Sequence, residues 1–251
     1  AYQIHTLRGI FSAWQAAQGI RGPEAILDGD IFWTSGGAAG CSFPELTEGL
    51  GERYRILEVG FKPEPSCRLT HHSTEALRRA LAGEEIQPDR IEEIKLHQAV
   101  LLPPTYDWET MVEAQFSPPC AVALSLAGGE PKPAWYTAQR YLDPAIKELA
   151  GRVRFIEDQK AAELWLEQGI LSCRAEVRTK DGRLLPGETD HPRGEPGNPL
   201  TPEELEAKFM VNAAMTISQG QAEEVMDRVL HLEAVENFSS LADLLYPGGG
   251  G

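Results

Sequence analysis

The chain has 251 residues, 42% of them hydrophobic and 24% charged, with a formal net charge of −15. That is a globular composition with room for one large domain or two smaller ones. The acidic balance argues against a nucleic-acid backbone or an anionic membrane as partner. No apolar run approaches the roughly 20 residues that span a bilayer. No segment reads as a signal peptide, and a cytoplasmic protein is expected. Cys41, Cys67, Cys120 and Cys173 are widely spaced with no C-x-x-C pair, which speaks for reduced thiols rather than a zinc site or a disulfide scaffold.

Residues 1–18 place Ile4, Leu7, Phe11, Trp14 and Ala17 at steps of three and four, the stripe of an amphipathic helix. Gly19 and Gly22-Pro23 stop it, and Pro23 can start a short second helix through Leu27. Gly36–Gly40 reads as a flexible loop, without the G-x-G-x-x-G of a dinucleotide site. From Ile56 onward, extended runs at Ile56–Val59, Ile91–Leu96, Val153–Ile156 and Leu171–Val177 alternate with helical stretches at Thr74–Leu81, Thr110–Leu126 and Pro144–Ala150. Asp181-Gly182 after the last run predicts a hairpin. Prolines are tolerated in a first turn, so Pro118-Pro119 marks a helix start with Ser117 as N-cap.

A turn-rich stretch follows Gly187, and Thr201-Pro202-Glu203-Glu204 spells a capping box with proline at the first helical position. Further helices are expected from about Gln221 and over Ser240–Leu245, and Gly248–Gly251 reads as a flexible tail. Helical ends around a mixed middle predict an α+β protein. It has a partial all-helical domain built from both chain ends (residues 1–55 and 189–247) and an inserted α+β domain (56–188).

The chemistry-bearing residues concentrate in Lys62-Pro63-Glu64-Pro65-Ser66-Cys67-Arg68-Leu69-Thr70-His71-His72, between the first extended run and a helix. The prolines hold such a connection in one shape. The helix N-terminus that follows favours anions, Lys62 and Arg68 supply cations, and an imidazole can move protons near neutral pH. A solvated loop with two surface cations is the alternative from the residues alone. His72 is expected as a solvated helix-start residue. No Asp, Glu, His or Cys cluster has metal-ligand spacing, and H-E-x-x-H, G-x-S-x-G and P-loop motifs are absent from the sequence.

Four stretches in order resemble the MmgE/PrpD family of enzymes acting on small polycarboxylic acids. They are Arg8-Gly9-Ile10 through Gly22-Pro23, the Lys62–His71 loop, Glu113-Ala114-Gln115-Phe116-Ser117, and Gly197-Asn198-Pro199-Leu200-Thr201-Pro202. The resemblance implies a helical domain with an α+β lid, and a lyase or isomerase working through a carbanion or enolate. It implies Lys62 and His71 as catalytic residues, and Ser66, Cys67, Arg68, Gln115 and Ser117 as substrate-binding ones. No metal and no organic cofactor is implied. Relatives often carry a tyrosine near the position of Cys120.

The resemblance covers only the later half of a family chain, and the other half supplies Asp and His residues of the family's site. Either the chain is a subunit of a split, two-chain enzyme or it is a processed or truncated piece of a longer polypeptide; a second chain carrying that N-terminal helical half, within a higher oligomer, is the favoured expectation. A non-catalytic homologue that stabilises a catalytic partner remains the alternative.

Overall fold

A four-stranded sheet organises the larger part of the chain. The structure, a computed structural model, describes residues 2–26, 44, 47–128 and 133–247. It divides into two units, Ala1–Tyr54 and Arg55–Gly251. The predicted loop 36–40, Cys41, Leu27 and the tail 248–251 lie outside the described residues, and residues 24–26, within the expected short helix, form a turn.

In the first unit, α1 (Tyr2–Ala17) follows the predicted periodicity. Phe11 and Trp14 stack with ring centroids 5.7 Å apart. Ile4, Leu7, Phe11 and Trp14 are all exposed, so no described residue of this unit covers the stripe.

In the second unit the strands are β1 (Ile91–Gln98), β2 (Val153–Glu157), β3 (Cys173–Thr179) and β4 (Leu184–Thr189), in spatial order β2-β1-β3-β4. β1 pairs parallel with β2, Leu96 opposite Phe155, and antiparallel with β3, Leu96 opposite Ala175. β3 and β4 form the hairpin that Asp181-Gly182 predicts, with Gly182 at φ +89°. A parallel pair needs a long crossover. Here it carries α3 (Met111–Phe116), α4 (Pro118–Leu126), α5 (Ala138–Tyr141) and α6 (Pro144–Ala150).

Ser117 ends α3 and caps α4. Its Oγ accepts from Cys120 N at 3.2 Å and donates to the Thr105 carbonyl at 2.6 Å, while Pro118 starts the new helix. α7 (Gln159–Gln168), which carries no strong apolar stripe in the sequence, is set by its Asp158 cap and by Gly169, left-handed at its C-terminus.

α2 (His71–Ala80) lies across β3 and β4. Ala76, Leu77 and Ala80 meet Ile91, Ile94, Leu96, Val153, Ala175 and Val177 in one core. Each large aliphatic side chain buried there contributes roughly 1.5–3 kcal/mol. The approach is closest at Gly187 of β4, where a Cβ would stand 2.3 Å from both the Ala76 carbonyl oxygen and Ala80 N. A second core gathers Trp108, Cys120, Leu124, Trp135, Tyr136 and Ile146 around α4 and α6. A third holds α8 (Pro202–Ala213), α9 (Gln219–Leu230) and α10 (Phe238–Asp243) together through Ile217, Ala222, Val225, Leu241 and Leu244. The capping box at Thr201 forms as the sequence predicts.

Two expectations are corrected. Ile56–Val59 is not a strand: Arg55–Glu58 is a single 3-10 turn with Ile56, Leu57 and Val59 exposed. A short apolar run becomes a strand only when another strand pairs its backbone, and among the described residues β2 and β4 keep their outer edges unpaired by this segment. His72 is not solvated, because α2 begins at His71, three residues before the predicted start, and its first turn is buried.

Candidate active site on the Lys62–His71 loop

The loop is fastened at four points. Phe61 N donates to the Gly194 carbonyl at 2.7 Å. Gly194 has φ +91°, and a Cβ there would sit 1.9 Å from the Phe61 oxygen, so only glycine permits this approach. Cys67 N donates to the Gln115 carbonyl at 2.9 Å, which ties the loop to α3. Arg68 Nη2 pairs with Glu195 at 2.7 Å, and its Nη1 reaches the Arg193 carbonyl at 3.4 Å. Glu64, between the two prolines, turns inward and is buried. It accepts from Thr74 Oγ1 at 2.9 Å and pairs with Arg78 Nη2 at 2.7 Å. Burial pushes the Glu64 carboxyl upward, while Arg78 and Thr74 pull it back.

On this frame Lys62 is exposed and donates from Nζ to the Ser66 carbonyl at 3.1 Å. Ser66 Oγ and Thr70 Oγ1 are 2.9 Å apart, and Thr70 Oγ1 also donates to the Cys67 carbonyl at 2.9 Å. His71 is buried. Arg68 Nη1 lies 3.3 Å from its Nδ1, and its Nε2 has no partner among the described residues. Loss of hydration, then the cationic field of Arg68 and Lys62, pushes the His71 pKa down to about 3. His72 is equally buried with both ring nitrogens unpartnered among the described residues, and burial with Arg68 brings it to about 4. Both rings are thus neutral at physiological pH. Arginine can only donate, so the contact at Nδ1 favours a proton on Nε2, while the Ser66 backbone carbonyl beside the ring favours its protonated form.

Five predicted site residues, Lys62, Ser66, Cys67, Arg68 and His71, therefore share one short segment. Gln115 joins through its backbone carbonyl. The Ser117 hydroxyl is engaged by Thr105 and Cys120, as the α4 cap. Burial pushes the Cys120 thiol up to about 12, so it stays protonated. The sequence reading missed Glu64, whose only local sign is an acid between two prolines.

A cleft of about 420 Å³ borders the loop on the α8 side, lined by Pro63, Pro65, Arg78, Arg193, Glu204 and Lys208 among others. A larger one of about 700 Å³ lies near Pro88, Arg140 and Arg152 and includes none of the loop residues.

The model of the MmgE/PrpD C-terminal domain matches residues 65–232. The chain belongs to the MmgE/PrpD family. Lys62 stands just before the matched stretch of this family member, and His71 within it. Human cis-aconitate decarboxylase is 29% identical over 251 residues, 94% of this chain and 50% of the human protein. Mouse cis-aconitate decarboxylase is 28% identical over 253 residues, again 94% of the chain and 50% of the relative. The chain thus spans about half the length of the curated relatives it matches. No helix among the described residues is long and apolar enough to cross a membrane.

Proposed function

We propose that this chain is one part of a lyase or isomerase acting on a small di- or tricarboxylic acid through an enolate. The observation that carries the reading is the Lys62–His71 loop of an MmgE/PrpD chain. An exposed ammonium and a buried, neutral imidazole sit on one segment anchored at four points. In this reading residues 56–188 form the α+β lid, and residues 1–55 with 189–247 belong to the helical domain.

Lys62 binds a substrate carboxylate and offsets charge developing on it. His71 donates from Nε2 to the oxygen that becomes the enolate, a role a neutral imidazole performs without losing its proton. Ser66, Cys67, Arg68 and Gln115 shape the loop behind these groups. Either a base takes the proton next to a carboxylate, or a carbon–carbon bond breaks and its electron pair stays on the substrate as carbon dioxide leaves. The enolate then expels a neighbouring group or is reprotonated. The base comes from a second polypeptide carrying the N-terminal helical half. Support for that partner is the doubled length of the relatives, the uncovered stripe of α1, and the exposed Ile56, Leu57, Val59 and Phe61 leading into Lys62.

The test is purification of the native complex from its source and assay of polycarboxylates for loss of water, loss of carbon dioxide or inversion. Lys62→Met in that complex is expected to lower turnover at least a hundredfold. A complex turning over normally with Lys62→Met sinks the assignment, and a native complex inert on all such acids favours the stabilising-partner reading.

A further inference from the structure

Lys62 is backed on both sides by Gly194, in the stretch that leads into α8. Before it, Phe61 N donates to the Gly194 carbonyl at 2.7 Å. After it, Pro63 Cδ is 3.2 Å from where a Cβ on Gly194 would stand. A Cβ on Gly60 would lie 2.6 Å from the Gly194 oxygen. At the far end of the loop, Arg68 Nη1 donates to the neighbouring Arg193 carbonyl at 3.4 Å. Two consecutive carbonyls thus hold both ends of the segment that carries the ammonium.

Asn198 holds the residues that present those carbonyls. Its own carbonyl accepts from Gly194 N at 2.8 Å, and its N–H goes to the Glu195 carbonyl at 2.8 Å. Its side chain accepts from Arg193 Nη1 at 3.1 Å through Oδ1 and donates to the His191 carbonyl at 3.0 Å through Nδ2. A guanidinium only donates and a carbonyl only accepts, so the two partners fix the orientation of the amide. A carboxylate of the same size would lack the donor. Arg193 is itself anchored to the Pro199 carbonyl and to Glu204 in the first turn of α8. The Asn198 amide joins this anchored guanidinium to the His191 carbonyl, across the turn that presents Gly194.

We infer that Asn198 is a positioning residue for Lys62: its side-chain amide locks residues 191–195 in the shape that offers the Arg193 and Gly194 carbonyls to the loop. The inference rests on the proposed role of Lys62 as the ligand-binding cation. It adds that the place of this cation is set from the stretch entering α8, far along the chain.

The test is competitive acetylation of the intact protein, with the rate at Lys62 read by mass spectrometry and divided by the rate at Lys180, an exposed lysine of the β3–β4 turn. Asn198→Ala removes both side-chain contacts. It is expected to raise the Lys62/Lys180 ratio about twofold, the low end of what one hydrogen bond is worth. The Phe61 amide proton should move upfield in the NMR spectrum as its bond to Gly194 lengthens, while Leu96 in the sheet stays in place. Asn198→Asp keeps the size and the Arg193 contact and loses the donor to His191. It should move both readouts in the same direction and by less, and it serves if the alanine variant does not fold.

An unchanged ratio in both variants overturns the inference, and so does a shifted Phe61 amide with an unaltered ratio. Equal increases at Lys62 and Lys180 mean general loosening and overturn it as well. The turnover of Lys62→Met is a separate readout. Coupled movement of ratio and amide with normal Lys62→Met turnover leaves the Asn198 clasp standing and removes the catalytic reading, and the converse removes the clasp alone.

Discussion

Arg68 Nη1 stands 3.3 Å from Nδ1 of His71, and that contact favours the tautomer with its proton on Nε2. The guanidinium also lowers the His71 pKa, second only to burial. Arg68→Met is therefore expected to raise that pKa from about 3 while leaving it below 6.5, since the ring stays buried. Imidazole nitrogen NMR measures both effects. The wild type should carry its proton on Nε2, and the variant should lose that preference. A wild-type ring protonated on Nδ1 would refute the geometry.

The two buried histidines tie stability to pH. Both have folded pKa values depressed from 6.5, to about 3 and about 4, so the unfolded chain binds more protons below pH 6.5. Their contribution is complete above that pH and is lost as pH falls toward 4. With both titrating, the slope reaches roughly 2–3 kcal/mol per pH unit. Glu64 works against it, because its raised pKa adds stability as pH falls toward 4.5. His72→Phe should remove about half the histidine slope. Little loss is expected at pH 7, because neither ring nitrogen has a partner to lose. Urea unfolding at pH 7, 6 and 5 reads both; an unaltered slope in the variant would count against a buried, neutral His72.

Gly187 sits where β4 meets the backbone of α2. Gly187→Ala would push a methyl to 2.3 Å from the Ala76 oxygen, and backbone cannot rotate aside as a side chain can. A loss of about 3 kcal/mol is expected. Because α2 begins at His71, hydrogen exchange at its first turn should quicken too. Full stability in this variant would show that the helix stands further from the sheet.

Glu64 and Arg78 form a pair with one buried member and one half-exposed member. Arg78→Ala leaves Glu64 inside with Thr74 as its remaining hydrogen-bond donor. Allowing for solvent around Arg78, a loss of roughly 2 kcal/mol is expected at pH 7. The cost should shrink near pH 5, as the raised Glu64 pKa lets the acid protonate. Denaturation at the two pH values measures the difference; a cost that grew on acidification would contradict the buried, ion-paired Glu64.

Much of the local structure was legible in the residues. Ser117 before two prolines, Thr201 with Glu204, and Asp181-Gly182 each act within a few positions of themselves, and all three form as read. Ile56–Val59 misled because an apolar run does not specify whether a pairing strand is available. α7 lacked a clear stripe and was missed. In the site, the cluster from Lys62 to His71 was legible because its members are neighbours in sequence. The roles of Glu64 and His72 were not, since burial depends on what packs over them.

The sequence alone determined the family resemblance, the helix and hairpin signals, and a loop that brings cations and imidazoles together. These rest on interactions spanning three or four residues, which the chain encodes directly. Only the tertiary structure decided the strand order, the neutral state of two histidines and the inward turn of Glu64. Each of those depends on surfaces from distant segments excluding water together. Desolvation, which sets the His71 pKa more than any other cause, exists only after they have closed.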